Sequence, residues 1–238
     1  MTASQLRAEA RNKLANKWGK AAIQTLIFAV IEYIISFVLG LIPGIGSIIS
    51  LVISVPLSYG FLISIIKLRN DEDFGYLDFL NNGFSNFSKA WSVTLNTLLK
   101  LIIPLVILIV CIFIFSAGIA SSSKFLAFIG IVAYIAAIIY FVVKAISYAL
   151  SLYILYDNPE ITGKEAVEKS AELMNGKVWA YICLNLSFIG WAILSSFTFG
   201  IGMLWLLPYM YIAKINFYKN LLGDSEPVVV SEENNDEV

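Results

Sequence analysis

No histidine occurs in the 238 residues, and cysteine occurs only twice. The first absence removes the commonest general base and the commonest metal ligand together. Cys111 and Cys183 each sit inside an apolar run, where a thiol behaves as a small buried hydrophobe and gives no sign of a disulfide framework. Charge is scarce too. Only 14% of residues are charged, against about 25% in soluble domains, while 59% are hydrophobic. A soluble chain of this size has no core large enough to hide so much apolar surface. Catalytic signatures are missing as well: there is no Walker loop, zinc motif or nucleophile elbow. Asp73-Phe74-Gly75 copies a kinase tripeptide without the glycine loop, strand lysine or catalytic loop that give it meaning. Asp71-Glu72-Asp73 lacks the other calcium-loop positions and reads as a solvated acidic turn. Basic residues are too few and dispersed for nucleic acid. No metal or cofactor is expected, and any catalysis would rest on Glu, Lys, Tyr or Asp alone.

What is present is a set of apolar runs. A helix that crosses a membrane needs about 20 mostly apolar residues. Six segments qualify, in pairs: Ala21–Leu39 with Ile45–Ile66, Leu98–Phe115 with Phe125–Tyr156, and Val178–Thr198 with Ile201–Tyr218. The fourth is long enough to tilt or to continue along the interface. Unpaired backbone groups are not tolerated in hydrocarbon, and the alternation of barrel strands is absent, so the runs should be helices. The first run carries Glu32 and no small-residue cleavage site closes it, so it is a retained helix and not a signal peptide. Pro56, Pro104 and Pro208 fall inside spans, where neighbouring groups must satisfy the carbonyls they free.

Basic residues orient the bundle. Arg7, Arg11, Lys13, Lys17 and Lys20 precede the first span. Lys67, Arg69 and Lys89 lie between spans two and three, Lys164, Lys169 and Lys177 between four and five, and Lys214 and Lys219 close the last. Only Lys124 falls on the other side, a ratio of thirteen to one that places both termini in the cytoplasm.

The pairs also look like copies. Each opens on a lysine at the membrane edge: Gly19-Lys20-Ala21, Ser88-Lys89-Ala90 and Gly176-Lys177-Val178. Trp18, Trp91 and Trp179 lie beside them, completing a set of basic and aromatic interfacial anchors. Each outer turn carries Gly44-Ile45-Gly46, Gly118-Ile119-Ala120 or Gly200-Ile201-Gly202, at 24, 29 and 23 residues from its lysine. An amphipathic segment precedes each pair. Gln5–Lys17 has the stripe Leu6, Ala10, Leu14; Tyr76–Phe87 offers Leu77, Phe79, Leu80, Phe84 and Phe87; Gly163–Asn175, with Ala166, Val167, Ala171, Leu173 and Met174, follows the N-cap Thr162, with Glu165 three residues later. Such segments are expected in the headgroup plane against anionic lipid. The expected fold is an all-α integral membrane domain over residues 1–221, with three hairpins each preceded by an interfacial helix (repeats of about 5–66, 76–156 and 162–219). Residues 222–238 hold six acidic and no basic residues, and are expected to be disordered, serving as a solubilising end or a docking strip for a basic partner.

Arg11-Asn-Lys-Leu-Ala-Asn-Lys-Trp-Gly-Lys20, Ser187-Phe-Ile-Gly-Trp191, Gly200-Ile-Gly202 and Leu207-Pro-Tyr209 resemble a bacterial family catalogued only as domain of unknown function 975, as does Ser170 through Asn175-Gly176-Lys177. The resemblance covers roughly residues 4–221 and implies a bacterial plasma-membrane protein, without an activity to transfer. A looser similarity runs to the membrane domain of some glycerophosphodiester phosphodiesterases.

Glu32 is the residue most costly to place. Twelve residues past Lys20, it lies about 18 Å into the membrane, where a charge costs about 2.5–3.5 kcal/mol on insertion scales. It must either be neutral or meet a cation. Lys144, twelve residues before Tyr156, is the natural partner by depth; Lys100 can snorkel to the edge. Asn96, Asn185 and Gln24 suit interhelical hydrogen bonds. Two functions follow: a non-enzymatic membrane module that binds a protein partner or organises lipid, or a transporter or lipid-handling protein with a polar site around Glu32 and Lys144.

Overall fold

A computed structural model of the chain describes residues 1–223. The acidic tail expected at 222–238 lies, beyond Gly223, outside the described residues. Eleven helices and no strand occur among them: α1 (Ala3–Leu14), α2 (Trp18–Gly40), α3 (Gly46–Arg69), α4 (Asp78–Ser85), α5 (Phe87–Ala120), α6 (Lys124–Ser147), α7 (Ser151–Asp157), α8 (Gly163–Leu173), α9 (Val178–Leu186), α10 (Ile189–Ser196) and α11 (Met203–Leu222).

Five stretches are long and apolar enough to cross a membrane: α2, α3, α5, α6 with α7, and α9 with α10. The final helix, expected as a sixth span, is not among them. Its 20 residues include Trp205, Pro208, Asn216, two lysines and three tyrosines, which dilute its apolar content. It is instead among the most buried, with Leu206, Tyr209, Ile212, Ala213, Ile215 and Phe217 in the core.

Burial is concentrated at one end, the base. The core joins the start of α2 (Ala21), the second half of α3 (Tyr59 to Leu68), the start of α5 (Ala90, Val93), α7, the start of α9 (Tyr181, Leu184) and α11. At the other end, Leu41, Phe113, Phe125, Phe197 and Phe199 are exposed. Phe28 stacks on Phe61 with centroids 4.4 Å apart, and Phe61 meets Tyr211 edge-on at 5.6 Å.

The short helices belong to this core. The stripe Leu6, Ala10, Leu14 is fully buried against protein, with α1 packed on α11 and α9, rather than facing lipid in the headgroup plane. Likewise α8 buries Ala166 and Val167, between α5 and α7. Capping boxes start both: Thr2 with Gln5, and Thr162 with Glu165, whose carboxyl the Thr162 amide and hydroxyl hold below the usual carboxylate range. The shorter α4 lies on α3 so closely that a Cβ on Gly60 would strike the Phe79 carbonyl, and one on Gly83 the Pro56 carbonyl.

The turns differ from the expected pattern in one pair. Gly44 and Gly200 take left-handed φ of 84° and 86° at their turns, as glycine allows without strain. Gly118 does not: it lies within α5, where a Cβ would meet the backbone of Ala127 in α6, and Ser122 makes the left-handed turn. The long fourth run also breaks. The α6 helix ends at Ser147, and α7 continues after Tyr148-Ala149-Leu150 into the core.

Candidate functional site: repaired helix breaks and an aromatic groove

Each interruption in a long helix frees backbone groups that cost about 1–3 kcal/mol when buried without a partner. Three are answered by side chains from other elements. Pro56 removes the amide that would bond the Val52 carbonyl, and the indole N–H of Trp91 donates to that oxygen at 3.0 Å. At the α6–α7 break the Ser170 hydroxyl donates to the Ser147 carbonyl at 2.8 Å and accepts from the Leu150 amide at 3.1 Å. At the α9–α10 break, the Arg7 guanidinium donates to the Ser187 carbonyl at 3.0 Å. Trp91 is therefore a packing donor as well as an edge residue. No sequence motif pairs these residues, which lie 39, 20 to 23 and 180 positions from their partners.

At the base, Arg69 closes α3 onto its neighbours. Its Nε donates to Asn216 Oδ1 at 2.7 Å and its guanidinium lies 3.5 Å from Glu9, with both charged side chains almost buried. The acidic turn is also taken up by lysines. Lys17 pairs with Asp71, and Lys20 with Asp73 at 3.1 Å while also covering the Phe74 ring at 4.3 Å. The hydrogen bonds from Lys17 and Lys20 hold the Asp71 and Asp73 carboxyls below the usual carboxylate range. Lys89 and Lys177 are exposed, as is Trp179, whereas Trp18 is half-buried with its ring edge-on to Tyr209.

Glu32 and Lys144 have separate surroundings. Ser54 donates to one carboxylate oxygen of Glu32 at 2.8 Å, across from α3 to α2, and the other oxygen is buried with no hydrogen-bond partner among the described residues. Lys144 lies over the Tyr140 ring at 5.9 Å and beside α8, in an open pocket with Glu172, Asn175 and Gly176. No ion pair joins the two among the described residues, because α2 and α6 do not share an extended interface. Lys100, well inside α5, reaches Glu168 of α8 at 3.1 Å. Gln24 is fully buried with neither amide atom bonded, while Asn96 and Asn185 bond back to carbonyls of their own helices rather than across helices. Both cysteines are free; Cys111 is buried and Cys183 half-buried.

One cavity of about 410 Å³ is almost wholly apolar. It lies between α10 and α11 and reaches down to α1 and α2. Arg11, Trp18, Trp191, Leu194, Trp205 and Tyr209 line it. Tyr209 forms a fixed wall, gripped edge-on by Trp18 and by Phe188 at 5.0 Å. The hydroxyls of Ser195 and Thr198 bond to carbonyls of their own turn, so they present little polarity to the cavity. The sequence marks Trp18 as an anchor and Trp191 and Tyr209 as family-motif residues but does not single out Trp205; Trp205 and Tyr209, four apart in α11, share a face, and nothing in their spacing brings that face to Trp18 or Trp191.

Five apolar helices of membrane length define a multi-pass, all-helical membrane protein. The chain belongs to the family described as "Protein of unknown function (DUF975)", whose model matches residues 1–225. No curated protein and no solved structure matches the chain. The looser likeness to glycerophosphodiester phosphodiesterase membrane domains gains nothing from these comparisons.

Proposed function

We propose that the protein is a non-enzymatic module of a bacterial plasma membrane, with both termini in the cytoplasm, that binds a protein partner or organises the bilayer around a rigid base. The observation that carries this reading is the dense base itself, in which the short helices are locked under the long ones by side chains that repair helix breaks. A fixed cytoplasmic platform suits docking, whereas alternating access calls for halves that rock past each other.

The three-hairpin repeat is part of the same proposal, with α11 as the sixth span. What supports it is a cyclic order of packing: α4 lies on α3, α8 on α7 and α1 on α11, so each short helix covers the last helix of the preceding hairpin and the ring closes. The left-handed residues Asn16 and Gly176, each just after a short helix, strengthen the likeness of the first and third units.

The alternative, a transporter or lipid-handling site around Glu32 and Lys144, draws support from the unpartnered oxygen of Glu32. It is weakened by the separate surroundings of Lys144. Cross-linking in native membranes followed by native mass spectrometry tests the choice. A second polypeptide at fixed stoichiometry is expected. A small solute that is retained by the wild type and lost in Glu32→Gln, with no polypeptide captured, would overturn the module reading.

A further inference from the structure

The aromatic cavity has a chemistry of its own. Its volume of about 410 Å³ falls within the usual range for small-molecule sites, roughly 300–1,000 Å³. Trp191 and Trp205 are about half exposed, so it opens sideways, toward the space that lipid fills around a membrane helix. From Trp191 to Thr198 the wall rises about 10 Å, a third of a hydrocarbon core of about 30 Å.

Among the described residues, Arg11 is the one charged residue that lines this space. The other basic residues nearby are engaged: Arg7 on the Ser187 carbonyl, Lys17 on the Leu68 carbonyl and Asp71, Lys20 on Asp73, and Arg69 on Glu9 and Asn216. Among the described residues Arg11 has no hydrogen-bond or ion-pair partner, and it is exposed. A guanidinium at the mouth of an otherwise apolar, aromatic groove matches one shape of ligand, an anion carried on a hydrocarbon chain. Guanidinium binds phosphate through two parallel N–H bonds, and anionic lipid is abundant at a cytoplasmic membrane face.

We propose that this groove binds one anionic phospholipid from the leaflet at the base, its phosphate on Arg11 and an acyl chain lying between Trp191, Leu194 and Trp205. The proposal needs the chain to reside in a membrane, but not the partner-binding function; a captured polypeptide would neither support nor refute it.

The test is native mass spectrometry of the full-length protein in mild detergent, offered phosphatidylglycerol and phosphatidylcholine with identical chains in equal amounts. The expected result is one retained phosphatidylglycerol per chain, with phosphatidylcholine washed away. Arg11→Gln should lower the phosphatidylglycerol-bound fraction about tenfold, and Arg11→Lys, which keeps the charge but loses the paired N–H fork, should fall between it and the wild type. Trp191→Ala combined with Trp205→Ala should lower retention of phosphatidylglycerol with Arg11 in place. Equal retention of the two lipids by the wild type would overturn the proposal, as would an unchanged fraction in Arg11→Gln. Displacement by excess inorganic phosphate would point to a plain anion site, and a dimer free of lipid would make a second copy the occupant; either refutes it. If a variant misfolds by circular dichroism, the wild-type selectivity decides alone.

Discussion

Phe61 and Phe113 are the same residue in two membrane-length helices, yet Phe61 is 1% exposed and Phe113 is 70% exposed. The contrast holds generally between the base and the turn end of the molecule, and hydropathy does not explain it. The run containing Phe113 is the more apolar of the two. What distinguishes the base is polarity. Glu9, Gln24, Ser64, Ser151, Ser170 and Asn216 are all buried there. In hydrocarbon there is little hydrophobic gain from packing helix on helix, so small residues and hydrogen bonds decide where helices meet. The apolar turn end has few such groups and is left for lipid to cover, apart from the close α5–α6 approach allowed by Gly118 and Gly130.

Substitutions at the two ends should therefore differ sharply. Phe61→Ala is expected to destabilise the fold by about 3–5 kcal/mol, against well under 1 kcal/mol for Phe113→Ala, as measured by steric-trapping unfolding in bicelles. Equal losses would abolish the distinction between base and turn end. Next in size, Arg69→Met should cost about 3 kcal/mol by removing the guanidinium from both Glu9 and Asn216, and part of that should return in Arg69→Met with Glu9→Leu. Ser170→Ala removes one donor and one acceptor at the α6–α7 break; about 2 kcal/mol is expected, with faster amide exchange at Leu150 as the local readout. Trp91→Phe keeps most of the volume but strips the Val52 carbonyl of its donor, for about 1 kcal/mol.

The smallest effect concerns pH. Asp71 and Asp73 are held below their ordinary range by Lys17 and Lys20. Their contribution is present above the unfolded carboxylate range and is lost as pH falls through the lowered folded values. Both are fully exposed, so the loss should be slight and should shrink further in high salt. A melting temperature that falls steeply on mild acidification would assign these pairs a larger role.

Much of the architecture was legible in the sequence. Membrane length, helicity, the Thr162–Glu165 cap and the stripes of α1 and α8 all follow from periodicity and residue type. The destination of those stripes was not legible, because a stripe suited to lipid is equally suited to a protein core. Which partner Glu32 meets was not legible either, because depth along a helix says nothing about which helices touch. Ser54, lying 22 residues from Glu32, supplied the contact from the adjacent helix α3. The aromatic groove gathers residues from four helices; Trp205 and Tyr209, four apart, share one face, but no spacing says which helices bring their faces together.

The packing of α1 on α11 also sets a clock. Roughly 190 residues separate Leu14 from Met203, so during synthesis the stripe Leu6, Ala10, Leu14 exists long before its cover. At about 5–20 residues per second that interval is about 10–40 s. Through it, α1 lacks the helix that covers most of its stripe, and an amphipathic pattern of this kind is one that a membrane surface can shelter until α11 is made.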